Sequence, residues 1–182
     1  MTETIRTHTR ATTSGASQSP QPSRTADAES AGLERLVELA ARDRHLAVLI
    51  TLDDDGSPQV SVVNCGVVDD PSGDGRRVAL VARRGAKTRN LRRNPQATLA
   101  VRSGWEWIAV SGHSAVISRD DGLSIPRFEQ LLRDVFHAAG GHHDDLATYD
   151  QVMAVERRCA VLIRPERFTS NPIGAEHREP AS

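Results

Sequence analysis

Aromatic side chains make up only 3% of this 182-residue chain, so whatever core it builds must be aliphatic. An excess of one charge is also missing. The formal net charge of −1 excludes a generally basic nucleic-acid binder, although it leaves room for local basic patches. Cysteine is scarce: Cys65 and Cys159 fall in separate apolar, strand-like segments and offer no metal-ligand spacing. They are read as buried reduced thiols, ahead of a structural disulfide in a secreted protein. Residues 1–28 contain no apolar stretch, which excludes a signal peptide or membrane helix there. That segment is rich in Thr, Ser, Gln, Pro and Arg and cannot bury enough apolar surface to offset its ordering entropy. It is expected to be a disordered tail, as is 175–182, flanking one domain at 29–174 in a cytoplasmic protein without membrane contact.

Between the tails the hydrophobic pattern is informative. Leu33, Leu36, Val37 and Ala40 recur at helical spacing and predict an amphipathic helix ending before His45. Strands are predicted over 45–52 and 57–68, joined by Asp53-Asp54-Asp55-Gly56, an Asp-Gly hairpin signal. Further strands are predicted over 76–82, 96–102, 105–118 and 159–163. Helices are predicted around Phe128–Phe136 and over 146–157. No crossover helices separate the first three strands, so a parallel β/α sheet is excluded. Six mostly hairpin-connected strands with peripheral helices predict a mainly β, closed or nearly closed antiparallel barrel.

The most telling segment is Arg83-Arg84-Gly85-Ala86-Lys87-Thr88-Arg89-Asn90-Leu91-Arg92-Arg93-Asn94-Pro95, between two strand-like stretches. Read as strand, basic turn, short helix and strand, it puts Lys87, Asn90 and Leu91 on one helix face and Arg89, Arg92 and Arg93 on the other. A cation and an amide thus sit beside an inward-packing Leu near a helix start, where free backbone N–H groups and the helix dipole favour an anion. This outlines a phosphate site. The competing reading is a solvated surface helix, and it suits Arg89, Arg92 and Arg93, which face away from Lys87. A nucleic-acid module is disfavoured because no stacking aromatics accompany the charge.

The stretches DGSPQVSVV, GAKTRNLRRNPQATLAV, GWEWIAVSGHSAV and YDQVMAVERRCAVLIRPERF resemble the flavin- and deazaflavin-binding split β-barrel family that includes the pyridoxamine 5'-phosphate oxidases. Within it the likeness is to the actinobacterial branch that binds coenzyme F420, and it runs from about Leu33 to Gly174. The resemblance implies a six-stranded split barrel and a homodimer with two cofactor sites at the subunit interface. The cofactor phosphate would lie at the turn containing Lys87, Thr88 and Asn90, and the ring along Gln59, Val60, Ser61, Val62 and Val63. The strand from Trp105 to Val110 and the partner subunit would line the substrate space. Related proteins often carry an Arg before the Ala-Lys pair. Here Gly85 stands there, and Arg83 or Arg84 supplies the charge instead. The C-terminal Trp and Arg pattern by which true pyridoxamine phosphate oxidases hold their substrate has no counterpart in RPERFTSNPIGAEHREP, which argues against vitamin B6 synthesis.

The implied function is an oxidoreductase that transfers a hydride from reduced coenzyme F420 to a small unsaturated acceptor. The alternatives are an FMN-dependent oxidoreductase of the same fold and a non-catalytic deazaflavin carrier or sensor. FMN ends in a phosphate monoester of about −1.5 to −2 charge, which favours bidentate Arg forks in a closed pocket. The deazaflavin phosphate is a diester with less charge and an extension that must leave the pocket, which suits a Lys, a Thr hydroxyl and a helix end. No side chain need act as an essential acid, and Ser61 is the candidate if one does. Trp105 and Trp107 alternate about Glu106 and point to one side, as core or interface packing ahead of an aromatic wall for substrate. His137, His142, His143, Asp144 and Asp145 look like a metal box, but a loop with an Asp N-cap explains them more simply, and no metal is expected. Cys65 has no sequence neighbour that would make it a nucleophile.

Overall fold

At Cys65 the chain changes partners, and this single residue shapes the barrel. In the computed structural model, which describes residues 24–171, β1 (Leu46–Leu52) pairs antiparallel with β2 (Pro58–Asn64) as far as Leu46 opposite Asn64. The Cys65 N–H then bonds the His45 carbonyl at 2.9 Å, and β3 (Gly66–Asp69) starts a new ladder on β4 (Arg76–Arg83), with Gly66 opposite Ala79. The seven strands form one sheet in the order β2-β1-β5-β6-β7-β4-β3, completed by β5 (Gln96–Ser103), β6 (Glu106–Ile117) and β7 (Arg158–Ser170). The two edges of that order, β2 and β3, are joined by one residue, so the sheet must curl until its ends nearly meet. The result is an antiparallel barrel, split rather than closed, because β2 diverges from β4 instead of pairing with it. The strand predicted over 57–68 is therefore two strands, and the count is seven rather than six.

Four helices pack around the barrel: α1 (Arg24–Arg42), α2 (Ala86–Arg93), α3 (Ile125–Ala138) and α4 (Leu146–Val155). Helix α1 begins at Arg24, so residues 24–28 belong to it and not to the expected tail. The remaining tail expectations, 1–23 and 175–182, lie outside the described residues. Leu33, Leu36, Leu39 and Ala40 of α1 pack into the barrel core with Leu49, Val78, Leu80, Leu99, Val110, Val161 and Ile163, the aliphatic core expected from the lack of aromatics. Arg35 and Arg42 fasten α1 to Glu106 at 2.5 and 2.6 Å. Helix α3 closes a second core with Phe128, Leu131, Leu132 and Val135 against Ala79, Ala160 and Leu162, so β4 and β7 are covered on both faces. Gly66 permits this docking, because a Cβ there would stand 2.3 Å from the Ala138 backbone.

Among the described residues no helix packs on the outer face of β1 and β2. Val48, Val60 and Val62 remain 39%, 61% and 67% exposed. The register aligns Val62 with Val48, Val48 with Ala100 and Ala100 with Ala109, an apolar row across β2, β1, β5 and β6. Among the described residues no helix is long and apolar enough to cross a membrane.

Candidate functional site

The split between β2 and β4 opens into a cavity of about 920 Å³, within the range of small-molecule and cofactor sites. Gln59, Val62, Val63 and Asn64 of β2 form one wall, and Val81, Ala82 and Arg83 of β4 another. Phe136 of α3, Gly140 and Gly141 of the α3–α4 loop, and Tyr149 and Met153 of α4 complete it. From Gln59 to Asn64, β2 spans about 16 Å at ~3.3 Å per residue, and the two ends of the cavity differ chemically.

The Gln59 end is cationic. Arg83 reaches it from the end of β4, Arg84 from the turn that follows, Lys87 from the first turn of α2, and Arg158 from β7, where it sits opposite Arg83. Two of these four are committed: Arg84 pairs with Asp120 at 2.9 Å, and Arg158 with Glu156 at 2.6 Å. Arg83 and Lys87 have no carboxylate within ion-pair distance among the described residues. Burial, and then the neighbouring Arg158 charge, pull the Lys87 pKa below the ordinary lysine value. An uncompensated, partly desolvated cation at a helix start is arranged for an anion.

Thr88 and Asn90 follow Lys87 in sequence but do not line the cavity. Their side chains, expected at a phosphate, are instead bonded within the chain. Thr88 is buried and closes the first turn of α2: Gly85 N–H donates to Thr88 Oγ1 at 3.0 Å, and that hydroxyl donates to Gly85 O at 3.1 Å. Asn90 is buried too, as the Lys87–Asn90–Leu91 face requires, but its amide donates to Asp53 Oδ1 at 2.8 Å and Gln59 Oε1 at 3.1 Å. Asn90 thus ties α2 to the β1–β2 hairpin, and it acts on the cavity through Gln59. Arg92 and Arg93, on the opposite helix face, pair with Asp121 and Asp54, while Arg89 is exposed.

Of the expected ring contacts, Gln59, Val62 and Val63 line the cavity, while Ser61 does not. Trp105 and Trp107, 60% and 37% exposed, lie at the β5–β6 hairpin outside the cavity. Trp107 shares its sheet face with Ala109 and the apolar row, because Glu106 turns the other way toward α1. Neither Trp is core, and neither walls the cavity. Asp145 caps α4 by accepting from Ala147 N and Thr148 N at 3.0 and 3.1 Å, which accounts for the acidic end of the His-Asp loop. Cys65 is buried in the core, where desolvation pushes its thiol up to about 12, leaving it inert at neutral pH.

The other end of the cavity holds a residue that the sequence did not single out. Arg44 and His45 join α1 to β1 with φ of 52° and 59°, two successive non-glycine residues in the left-handed region. The His45 ring lies against Gly140, where a Cβ would meet Cδ2 at 2.4 Å, and Gly140 itself has φ 76°. His45 Nδ1 is shielded from water and has no hydrogen-bond partner among the described residues. Such an orphaned polar atom costs roughly 1–3 kcal/mol. Tyr149, also on the wall, is committed: its hydroxyl donates to Leu132 O at 3.1 Å, and burial pushes its pKa up to about 12.

Residues 33–171 match the family model described as pyridoxamine 5'-phosphate oxidase, and the chain belongs to that family. Its fold is that of the family's split barrels. A conserved hypothetical protein from Mycobacterium tuberculosis superposes with a TM-score of 0.58 at 18% identity, covering 82% of this chain and 91% of that one. A protein described as an F420 reductase gives 0.50 at 18% identity, covering 76% and 96%. A heme-binding protein from Mycobacterium smegmatis gives 0.52 at 20% identity, covering 81% of this chain but 55% of that one. At such identities the likeness is one of fold, and ligand identity has to be argued from the cavity.

Proposed function

We infer that the protein is a homodimeric oxidoreductase that holds coenzyme F420 in the β2–β4 cavity and serves hydride transfer to a small unsaturated acceptor. The observation that carries this reading is the cationic corner at Lys87 and Arg83, from which about 16 Å of strand edge leads past Val62 and Val63 to an end bordered by Phe136, Arg44 and His45. A ligand with a phosphate at one end and a flat ring along the strand edge matches that corner and that length. The reduced cofactor supplies the hydride. The chain's own residues bind the phosphate (Lys87, Arg83), lie along the ring (Val62, Val63), offer it an amide (Gln59) and exclude water.

Charge favours the deazaflavin over FMN. A dianionic monoester calls for several Arg forks, yet of the three guanidinium groups at this corner Arg84 and Arg158 are engaged by Asp120 and Glu156, which leaves Arg83 alone. Two uncommitted cations suit a diester better. The name of the F420 reductase of similar fold supports the same choice.

The uncovered apolar row through Val62, Val48 and Ala100 adjoins the cavity at Val62, which supports a second copy of the chain packing there and completing the site. Separate titrations with coenzyme F420 and FMN, followed by ring fluorescence, test the cofactor; tighter FMN binding overturns the deazaflavin reading in favour of the FMN enzyme. Loss of the reduced deazaflavin on adding enones or quinones separates an enzyme from a carrier.

A further inference from the structure

We propose that the acceptor carries a carboxylate and that Arg44 is the residue that binds it. The proposal rests on the cofactor reading above, which fills the Lys87 end of the cavity with the phosphate and leaves the Arg44 end to the acceptor.

The charge of the cavity wall calls for anions. The chain as a whole is balanced, with 23 basic residues against 24 acidic ones. The cavity is not: Arg44, Arg83, Arg84, Lys87 and Arg158 line it, and no Asp or Glu does. Even the carboxylates that engage Arg84 and Arg158, those of Asp120 and Glu156, lie outside the lining. A concave wall of one sign draws in the opposite charge and repels its own. Four of the five cations gather at the Gln59 end, where one phosphate answers them. Arg44 stands at the other end, beside Asn64, and β2 spans about 16 Å between Gln59 and Asn64. A phosphate seated at Lys87 therefore does not serve Arg44, which calls for an anion of its own.

Arg44 is fixed by its backbone and free at its head. Asn64 Nδ2 donates to the Arg44 carbonyl at 2.8 Å, the His45 N–H donates to Ala40 O at 2.7 Å, and the Cys65 N–H donates to His45 O at 2.9 Å. The α1–β1 joint is thereby tied both to the helix behind it and to the end of β2. The Arg44 guanidinium, by contrast, has no partner among the described residues. Asp43, next to it in the chain, neither lines the cavity nor lies within ion-pair distance of it. Arg35 and Arg42 of the same region are both engaged by Glu106. One free guanidinium matches a carboxylate, whose single charge and two oxygens fit one planar fork. A second phosphate monoester, at about −1.5 to −2, would call for more than one.

The test uses the full chain loaded with whichever of the two ring cofactors it binds, in the oxidised form, so that no turnover occurs. The probes are trans-cinnamate and trans-cinnamamide, which share a shape and a conjugated double bond and differ in charge. Binding is followed by calorimetry. Wild type should bind the cinnamate about tenfold more tightly than the amide, and the preference should shrink as salt is added. Position 44 has φ of 52°, which Asn tolerates, so Arg44→Asn removes the charge without disturbing the joint. It should bring cinnamate binding down to that of the amide while leaving amide and cofactor binding within about twofold of wild type. If that variant does not fold, Arg44→Gly makes the same comparison. Arg44→Lys keeps a cation and should retain most of the preference. A wild type that does not prefer the cinnamate overturns the proposal whatever the variants do. A preference that survives Arg44→Asn overturns it too, because the carboxylate then rests on another cation. So does an equal loss of cofactor affinity in Arg44→Asn, which would put Arg44 on the ring. Failure of the wild type to bind either cofactor is a different result: it sinks the cofactor reading and takes this proposal with it.

Discussion

Asn90 sets the orientation of Gln59. Its Nδ2 donates to Gln59 Oε1 at 3.1 Å, and Thr51 Oγ1 donates to the same oxygen at 3.3 Å. With its oxygen held from behind, Gln59 is left to present its amide N–H groups to the cavity it lines.

Two variants separate the structural side of that relationship from the binding side. Asn90→Ala removes a buried amide that donates to Gln59 and to the exposed Asp53 carboxylate, at a cost of about 1–3 kcal/mol. For a domain of this size that corresponds to a fall in Tm of roughly 3–10 °C. It should also weaken cofactor binding, because Gln59 keeps only the Thr51 hydroxyl to hold its oxygen. Gln59→Ala should reproduce most of the binding loss with a smaller change in Tm. Thermal melts and titrations of both variants check this, and an unchanged Tm in Asn90→Ala would show that the network is not formed in solution.

The contrast between Lys87 and Asn90 also shows what a sequence can reveal. Both lie on the inward face of α2, and helical periodicity finds that face. Whether an inward side chain meets a ligand or another strand depends on where the β1–β2 hairpin folds, and Asp53 lies 37 positions away from Asn90. Local strands and hairpins were legible for the same reason, since their periods and turn residues are adjacent in sequence. The partner switch at Cys65 was not, because a strand that trades one neighbour for another need not interrupt its run of apolar residues. Nor was the unbroken course of β7 through Pro165. The ladder to β4 ends at Ile163, and a register shift between Ser111 and Gly112 accommodates the extra residue on β7. His45 left no mark at all. Its left-handed backbone and the glycine that faces its ring are features that an Arg-His dipeptide does not disclose.

Gly85 stands where the family resemblance leads one to expect an arginine, and it can be refilled. Its backbone is extended, and a Cβ would meet nothing closer than Arg83 O at 4.0 Å, so a side chain can be added without strain. Gly85→Arg would place an uncommitted guanidinium at the cationic corner. A new charge-assisted contact worth about 1.5–3 kcal/mol should tighten FMN binding by at least about tenfold, and a diester by less. Parallel titrations give the ratio of the two gains. Equal or absent gains would place the phosphate elsewhere.

Val62 tests the dimer. It lies at the β2 end of the uncovered row and on the cavity edge at once. In a two-fold dimer each substitution counts twice, so a carboxylate that costs about 2 kcal/mol per site weakens association on the order of a thousandfold. Wild type should sediment as a dimer, and Val62→Asp as a folded monomer with reduced cofactor affinity. A wild-type monomer at micromolar concentration would remove the interface from the proposal.

Lys87 carries the sharpest prediction, because its titration should act with opposite sign on folding and on binding. Its pKa in the folded chain lies below the ordinary 10.5, chiefly through burial and then through repulsion by Arg158. Between that lowered value and 10.5 the unfolded chain holds more protons, so Lys87 makes the protein more stable as pH rises through this window. Below the window its charge is a standing cost to the fold. A bound anion reverses the preference and raises the pKa of Lys87, so binding takes up a proton and weakens as pH rises through the same range. Lys87→Ala should weaken cofactor binding about tenfold or more at neutral pH and remove both pH slopes relative to wild type. Lys87→Arg keeps its charge across the window, so it should retain most of the affinity while losing the slope. Titrations and melts of the three proteins from neutral pH to the lysine range supply the comparison. Wild-type affinity as flat as that of Lys87→Arg would mean that the anion does not rest on this lysine.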